Sequence, residues 1–433
     1  MASASSLALC RRLWFLVGTM NSQRFILAFL ALLFGGCAKM AFRRVPVEVA
    51  PVRSAEFREK LASVAMARWT GGNAVRTLEN GDNFFPSMLS AAASAKRSIT
   101  FSCYTAGDGP PVADFSRVLA GRARAGVKVH VILDAFGCCW LGRRHIVAMR
   151  EAGVQVEFYS PFRFYDPLAY SRRNHQRVLV VDGHTGFCGG AGYGDIWSGH
   201  ASDSEHWRDT QYELHGPIVA QLQDNFNDNW RELTGKQLAG RDYYPPPKKA
   251  GAIIAQMVAG SPGKARDTIG GSFLLAIRAA RKSVLIEQSY FIPPAPIVDA
   301  LLGAAARGAK VQIIIPGEIT DMPFAKEVTQ RTLRRLMNGG VEIYEFRPTM
   351  MHGKLLTVDD HFVVAGSANF DPRSFFINEE NNLHVLNSAF ACEQRRMFER
   401  DKARSSRLAE ETLHISPTRR LRGFVGQIVI GTL

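Results

Sequence analysis

The chain has 433 residues, enough for two ordinary domains with sizeable cores. With 46% hydrophobic and 21% charged residues it is neither disordered nor fibrous. Its formal net charge of +14 draws it to polyanions, and charge alone does not separate nucleic acid from an anionic bilayer.

In chain order, residues 1–40 predict a signal peptide or membrane anchor. Residues 25–34, FILAFLALLF, form an apolar run of signal length, too short to span a bilayer comfortably. Gly35, Gly36 and Cys37 follow, a pattern that resembles a bacterial lipoprotein signal, with Phe34 where leucine is more usual. Met20 opens a well-proportioned signal by itself and is a candidate true start. A lipid on Cys37 plus a basic surface would suffice for stable attachment. The seven cysteines show no CxxC pair and no Cys/His ligand spacing, so neither a zinc site nor another metal is expected.

From residue 53 onward the chain repeats itself. SITFSCYTA (98–106) echoes SVLIEQSYF (283–291), an apolar strand after a helix. LAGRARAGVKVHVILD (119–134) matches LLGAAARGAKVQIIIP (301–316), a helix, a glycine turn and a β-branched run. EAGVQVEFYSP (151–161) matches NGGVEIYEFRP (338–348), and NHQRVLVVDG (174–183) matches MHGKLLTVDD (351–360). The pairs keep one order in both halves, which predicts duplication. The expected fold is α/β: two pseudo-symmetric lobes, each a mainly β-sheet core flanked by helices, with the active site at the lobe interface. The expected boundaries are 53–230 for the first lobe, 231–251 for a proline- and lysine-containing linker, 252–410 for the second lobe, and 411–433 for a basic and apolar tail.

The chemistry lies in the last matched pair. His352 and Lys354 are followed by Asp359, then Gly366, Ser367 and Asn369; His175 and Arg177 are followed by Asp182, then Gly189 and Gly190. On a strand, residues two apart face the same way, so each His and its cation can address one phosphate. One imidazole can attack phosphorus and split a hard displacement into two easier ones. A second can protonate the leaving alkoxide and deprotonate the incoming alcohol or water. Lys354 and Arg177 would hold the phosphoryl oxygens, Ser367 and Asn369 would add neutral donors, and Asp182 and Asp359 would orient the histidines. Both aspartates also fit hairpin turns.

This arrangement resembles the HxKxxxxD motif of the phospholipase D superfamily, over nearly the whole chain after residue 53. Arg177 departs from the lysine of that pattern; it keeps the charge but not the shape. On the resemblance, Arg177→Lys should retain or raise activity. HWRDTQYELHGPIVAQLQDNFNDNW (206–230), EQSYFIPP (287–294) and SANFDPRSFFINEENNLHV (367–385) resemble blocks of bacterial cardiolipin synthases. The resemblance implies Glu380 at or beside the site, no cofactor, and phosphatidyl transfer through a phosphohistidine, joining phospholipids with release of a small alcohol. It further implies phosphatidylglycerol, and phosphatidylethanolamine as another donor, as substrates at an anionic membrane surface of the bacterial cell envelope. Tyr290 and Phe291 are expected in the core. Hydrolysis of phospholipid head groups is the alternative within the same mechanism. A phosphodiester nuclease and a non-catalytic lipid-binding protein are the readings from other classes, and the lack of aromatic-basic interleaving argues against nucleic acid.

Overall fold

Apolar β-branched runs that follow glycine-ended helices have one way to bury both faces, as inner strands of a helix-covered sheet. The computed structural model describes residues 48–162, 171–262 and 267–409, with Phe42, Val45, Pro46 and Leu413. Its strands in the first half are Thr70–Glu79 (β1), Ser98–Cys103 (β2), Lys128–Asp134 (β3), Gln155–Tyr159 (β4), Val178–Val181 (β5), Thr185–Gly189 (β6) and Thr210–His215 (β7). Those in the second half are Ile253–Gly260 (β8), Ser283–Gln288 (β9), Lys310–Pro316 (β10), Glu342–Phe346 (β11), Lys354–Val358 (β12), Phe362–Gly366 (β13), Glu380–Leu386 (β14) and Ser405–Arg407 (β15).

All join one 15-stranded sheet in the order β15-β11-β10-β9-β12-β13-β14-β8-β1-β7-β6-β5-β2-β3-β4. The two halves use the same internal order, so the sheet is a pseudo-two-fold object with its axis between β8 and β1. Helices Pro110–Arg124 and Pro323–Asn338 are among the crossovers that parallel neighbours such as β2–β3 and β10–β11 require. β2 and β9 are buried along their whole length, which accounts for their continuous apolar character. At the seam, Asn73 Nδ2 donates to the Thr70 and Ile253 carbonyls at 2.7 and 3.1 Å, satisfying backbone where the β1–β8 register shifts.

A core of Tyr212, Leu214, Val219 and Leu222 from the first half interlocks with Leu355, Val363, Leu383 and Val385 from the second. The halves are therefore one packed unit. Helix Ala55–Ala65 adds a second bond between them. Ser54 caps it by accepting from the Phe57 N–H at 3.0 Å, and its apolar stripe of Phe57, Leu61 and Val64 enters the second half's core with Ile269 and Phe273. The expected start of the first lobe at residue 53 thus cuts across the packing: this helix precedes β1 in sequence but covers the other half. Among the described residues no helix is long and apolar enough to cross a membrane. The anchor and Cys37 expected in 1–40, and all of the expected tail save Leu413, lie outside the described residues.

Candidate active site

The short extended segments before β5 and β12 carry the two histidines, and each is fixed by backbone pairing with the opposite half. His175 N donates to Glu379 O at 2.9 Å and Glu379 N to Arg173 O at 2.8 Å. His352 N donates to Arg208 O at 2.7 Å and Arg208 N to Met350 O at 2.9 Å. The pseudo-two-fold axis therefore makes two matching bridges and brings both histidines to one place, where they are 6% and 4% exposed.

The side chains are crossed in the same way. His175 Nδ1 lies 2.9 Å from Glu380 Oε2, and His352 Nδ1 lies 2.5 Å from Asp209 Oδ2. Glu380 opens β14 and Asp209 directly precedes β7, the equivalent strand of the other half. Toward an ionised carboxylate, which only accepts, each Nδ1 carries its ring's proton and the neutral ring's Nε2 presents a lone pair. Asp209 also accepts from the Trp197 indole at 3.2 Å and the Thr210 N–H at 2.7 Å. Glu380 accepts from the hydroxyls of Ser367 at 2.5 Å and Ser374 at 2.7 Å.

Two cations complete the site. Lys354 Nζ donates to the His352 carbonyl at 2.7 Å and to Ser289 Oγ at 2.8 Å. Arg177 Nη1 donates to the His175 carbonyl, the equivalent bond, and its guanidinium carbon lies 5.4 Å from the Tyr104 ring centre. Aromatic rings line the histidines: Tyr104 stands edge-on to His175 at 4.9 Å, and Trp207 and Trp197 lie 5.2 and 5.6 Å from His352. Tyr290 also approaches His352, at 6.4 Å, and donates to Asp321 at 2.6 Å, so of the two residues expected in the core only Phe291 is buried there.

The electrostatics follow from this burial. Loss of water holds His352 down to about 4, with Lys354 adding to the shift and Asp209 opposing it. His175 is held well below its ordinary value by burial, then by Arg177 and Lys354. Each histidine thus feels the cation of the other half, as members of one site must. Burial would raise Asp209, but its bond and charge contact with His352, with Lys354 nearby, keep it below its ordinary value. Glu380 goes the other way, up to about 7 by burial in spite of Ser367 and Ser374. Burial also brings Lys354 down to about 7. Near neutral pH the site holds two imidazoles beside Lys354 and Arg177, with the His175–Glu380 pair able to carry one further proton, so it can attack a phosphodiester and exchange protons with its oxygens.

Several expected roles change. Asp182 and Asp359 do not orient the histidines. Asp182 accepts from the backbone N–H groups of Lys96, Arg97 and Ser98 at 2.7 to 3.2 Å, and Asp359 from those of Arg281, Lys282 and Ser283 at 2.7 to 3.1 Å. Both have φ of 52°, with Gly183 and Asp360 also left-handed, so they are the tight hairpin turns after β5 and β12. The motif's fixed spacing reflects strand length: the aspartate sits at the far end of the strand and ties it to the start of β2 or β9. Ser367, expected on phosphate, donates to Glu380, and Asn369 Oδ1 accepts from Ser289, the residue that holds Lys354. Asp209, Ser289 and Tyr104 were not singled out from sequence. Asp209 was within reach: extending the repeat past β6 and β13 sets Asp209-Thr210 against Glu380-Asn381.

Residues 88–230 and 273–402 each match the family described as cardiolipin synthase, PLD-like domain. Cardiolipin synthase A of Pseudomonas fluorescens is 32% identical over 344 residues, covering 78% of this chain and 70% of that protein. Cardiolipin synthase 2 of Bacillus cereus is also 32% identical over 344 residues, covering 78% of this chain and 66% of its own. Among solved structures, phosphatidylserine synthase of Haemophilus influenzae superposes with a TM-score of 0.66 at 13% identity, covering 87% of this chain and 100% of that one, a likeness of fold. With the domain matched in both halves and the histidines paired across them, the chain belongs to the cardiolipin synthase, PLD-like domain family of the phospholipase D superfamily.

Proposed function

We propose that the protein is a phospholipase D-type phosphatidyltransferase that makes a cardiolipin-like product from two phosphatidylglycerol molecules. The observation that carries this reading is the crossed pair of histidine–carboxylate bonds, His175–Glu380 and His352–Asp209, in a chain whose relatives named above are cardiolipin synthases. Neither histidine has its full partner without the opposite half, so one site performs both half-reactions.

In the first, Nε2 of one histidine forms a bond to phosphorus as the bond to the departing glycerol oxygen breaks. The other histidine, which for this step carries a second proton on its Nε2, gives that proton to the departing oxygen and is left neutral. In the second, the same histidine takes a proton from the acceptor hydroxyl as that oxygen bonds to phosphorus and the P–Nε2 bond to the first histidine breaks. Lys354 and Arg177 hold the phosphoryl oxygens as charge develops on them. Transfer to an alcohol rather than water is supported by the burial of both histidines among Tyr104, Trp197 and Trp207. Phosphatidylethanolamine is a second donor of the same phosphatidyl group, and membrane attachment through residues 1–40 would bring the site to its substrate.

Mass spectrometry of lipids formed from defined phosphatidylglycerol is the test. Cardiolipin with one glycerol released per turnover is expected. Phosphatidic acid as the sole product would reassign the enzyme as a hydrolase, and cleavage of single-stranded DNA with no lipid turnover would reassign its substrate class.

A further inference from the structure

The two halves hold their cations differently, and the difference is correlated. Sheet register makes the comparison residue by residue. Ser102 faces Val178 across β2–β5, so Arg177 stands level with Cys103; Lys354 faces Gln288 across β9–β12. One residue further on, Tyr104 and Ser289 are therefore equivalent positions. Ser289 grips the Lys354 ammonium through a hydroxyl at 2.8 Å, whereas Tyr104 offers Arg177 the face of a ring, 5.4 Å from the guanidinium carbon. A guanidinium is flat, lies against an aromatic face and keeps its N–H edges free; an ammonium is a compact charge that wants oxygen acceptors. Arg177 is 2% exposed, and its Nε–H is buried with no hydrogen-bond partner among the described residues, a donor left for an anion.

We infer that Tyr104 is the positioning residue that lets arginine serve at 177, and that Tyr104–Arg177 and Ser289–Lys354 are two versions of one cation holder. A lysine at 177 would meet the ring without the hydroxyl that Lys354 enjoys. The expectation drawn from the family motif, that Arg177→Lys retains or raises activity, is thereby reversed. The inference rests on the reading of Arg177 as a phosphate-holding cation.

The test is kcat/KM on phosphatidylglycerol for a small set of full-length variants, each checked by thermal melting. Arg177→Lys should lose about tenfold or more, about 1.4 kcal/mol of transition-state stabilisation. Tyr104→Ser should lose a similar factor, and Tyr104→Phe, which keeps the ring, should stay within about threefold. The double variant Tyr104→Ser with Arg177→Lys, which installs the second half's pair in the first, should recover to within about threefold of the wild type. Arg177→Lys at or above wild-type activity, or a double variant no better than Arg177→Lys alone, would overturn the pairing. Arg177→Gln separates this failure from that of the underlying reading. It should lose about a hundredfold; wild-type activity would remove Arg177 from the site and the inference with it, while collapse beside an unimpaired Arg177→Lys would overturn the pairing alone.

Discussion

Set side by side, the two halves agree in backbone and disagree in charge. Each supplies a histidine before an inner strand, a cation that donates to that histidine's own carbonyl, and a carboxylate that reaches across to the other histidine. The carboxylates then diverge. Asp209 sits against Gly190, where an added Cβ would lie 2.5 Å from Oδ1, so the first half has no room for the hydroxyl that Ser367 provides in the second. Asp209 is kept below its ordinary value against its burial by His352 and Lys354, whereas burial pushes Glu380 up to about 7 in spite of its serine donors. Behind the motifs, Ser102 accepts from Asn174 at 2.8 Å, but its counterpart Glu287 is buried without a hydrogen-bond partner among the described residues and is raised to about 8. The pseudo-symmetry fixes geometry; side-chain substitutions at equivalent positions make the two histidine–carboxylate pairs chemically unequal. The His175–Glu380 pair is the one able to hold a second proton near neutral pH.

The largest expected effect breaks the site itself. His175→Ala and His352→Ala should each lower turnover by about a thousandfold or more with the fold retained by circular dichroism. A variant with near-normal rates would mean that the halves work separately. Next come the crossed carboxylates. Asp209→Asn and Glu380→Gln should each cost about a hundredfold at pH 8, by analogy with other groups that orient an imidazole. Below about pH 7 the wild-type Glu380 is itself protonated, so the Glu380→Gln penalty should shrink while that of Asp209→Asn persists. Equal pH dependence in the two variants would erase the inequality between the halves.

The third expectation concerns the cations. Lys354 is lowered to about 7, so rising pH removes its charge while it ionises Glu380, and kcat/KM should pass through a maximum near neutrality. Lys354→Arg, which cannot deprotonate in this range, should flatten the alkaline limb whatever it does to the maximum; an unchanged limb would assign it to another group. The smallest effect on catalysis belongs to the turn aspartates. Asp182→Asn and Asp359→Asn should lower the melting temperature, by about 1–3 kcal/mol of stability each, and leave kcat within about threefold. A collapse of kcat with an unchanged melting temperature would return these residues to the chemistry.

Much of this was legible in the sequence because duplication is. Four matched segments point to the α/β class, the two pseudo-symmetric halves and the presence of two equivalent histidines. Lys354 was legible for the same reason. Glu380 entered only through the family resemblance and Asp209 was missed, since a spacing motif records neighbours along the chain, while both reach the histidines through sheet pairing across the seam. Asp182 and Asp359 drew attention by recurring, but they recur because a tight turn must close each hairpin. The boundary expected at residue 53 did not anticipate the packing of the helix at 55–65 for a related cause: an amphipathic stripe predicts burial and says nothing about which half it covers.

The most direct test of the central claim is to trap the intermediate. With phosphorus-labelled phosphatidylglycerol and rapid quenching, the crossed site predicts at most one labelled phosphoryl group per chain, bonded to Nε2 of one of the two histidines, because both Nδ1 atoms are held by the opposite half's carboxylates. Label on Nδ1, label on both histidines of one chain, or full turnover with no phosphohistidine formed would contradict it.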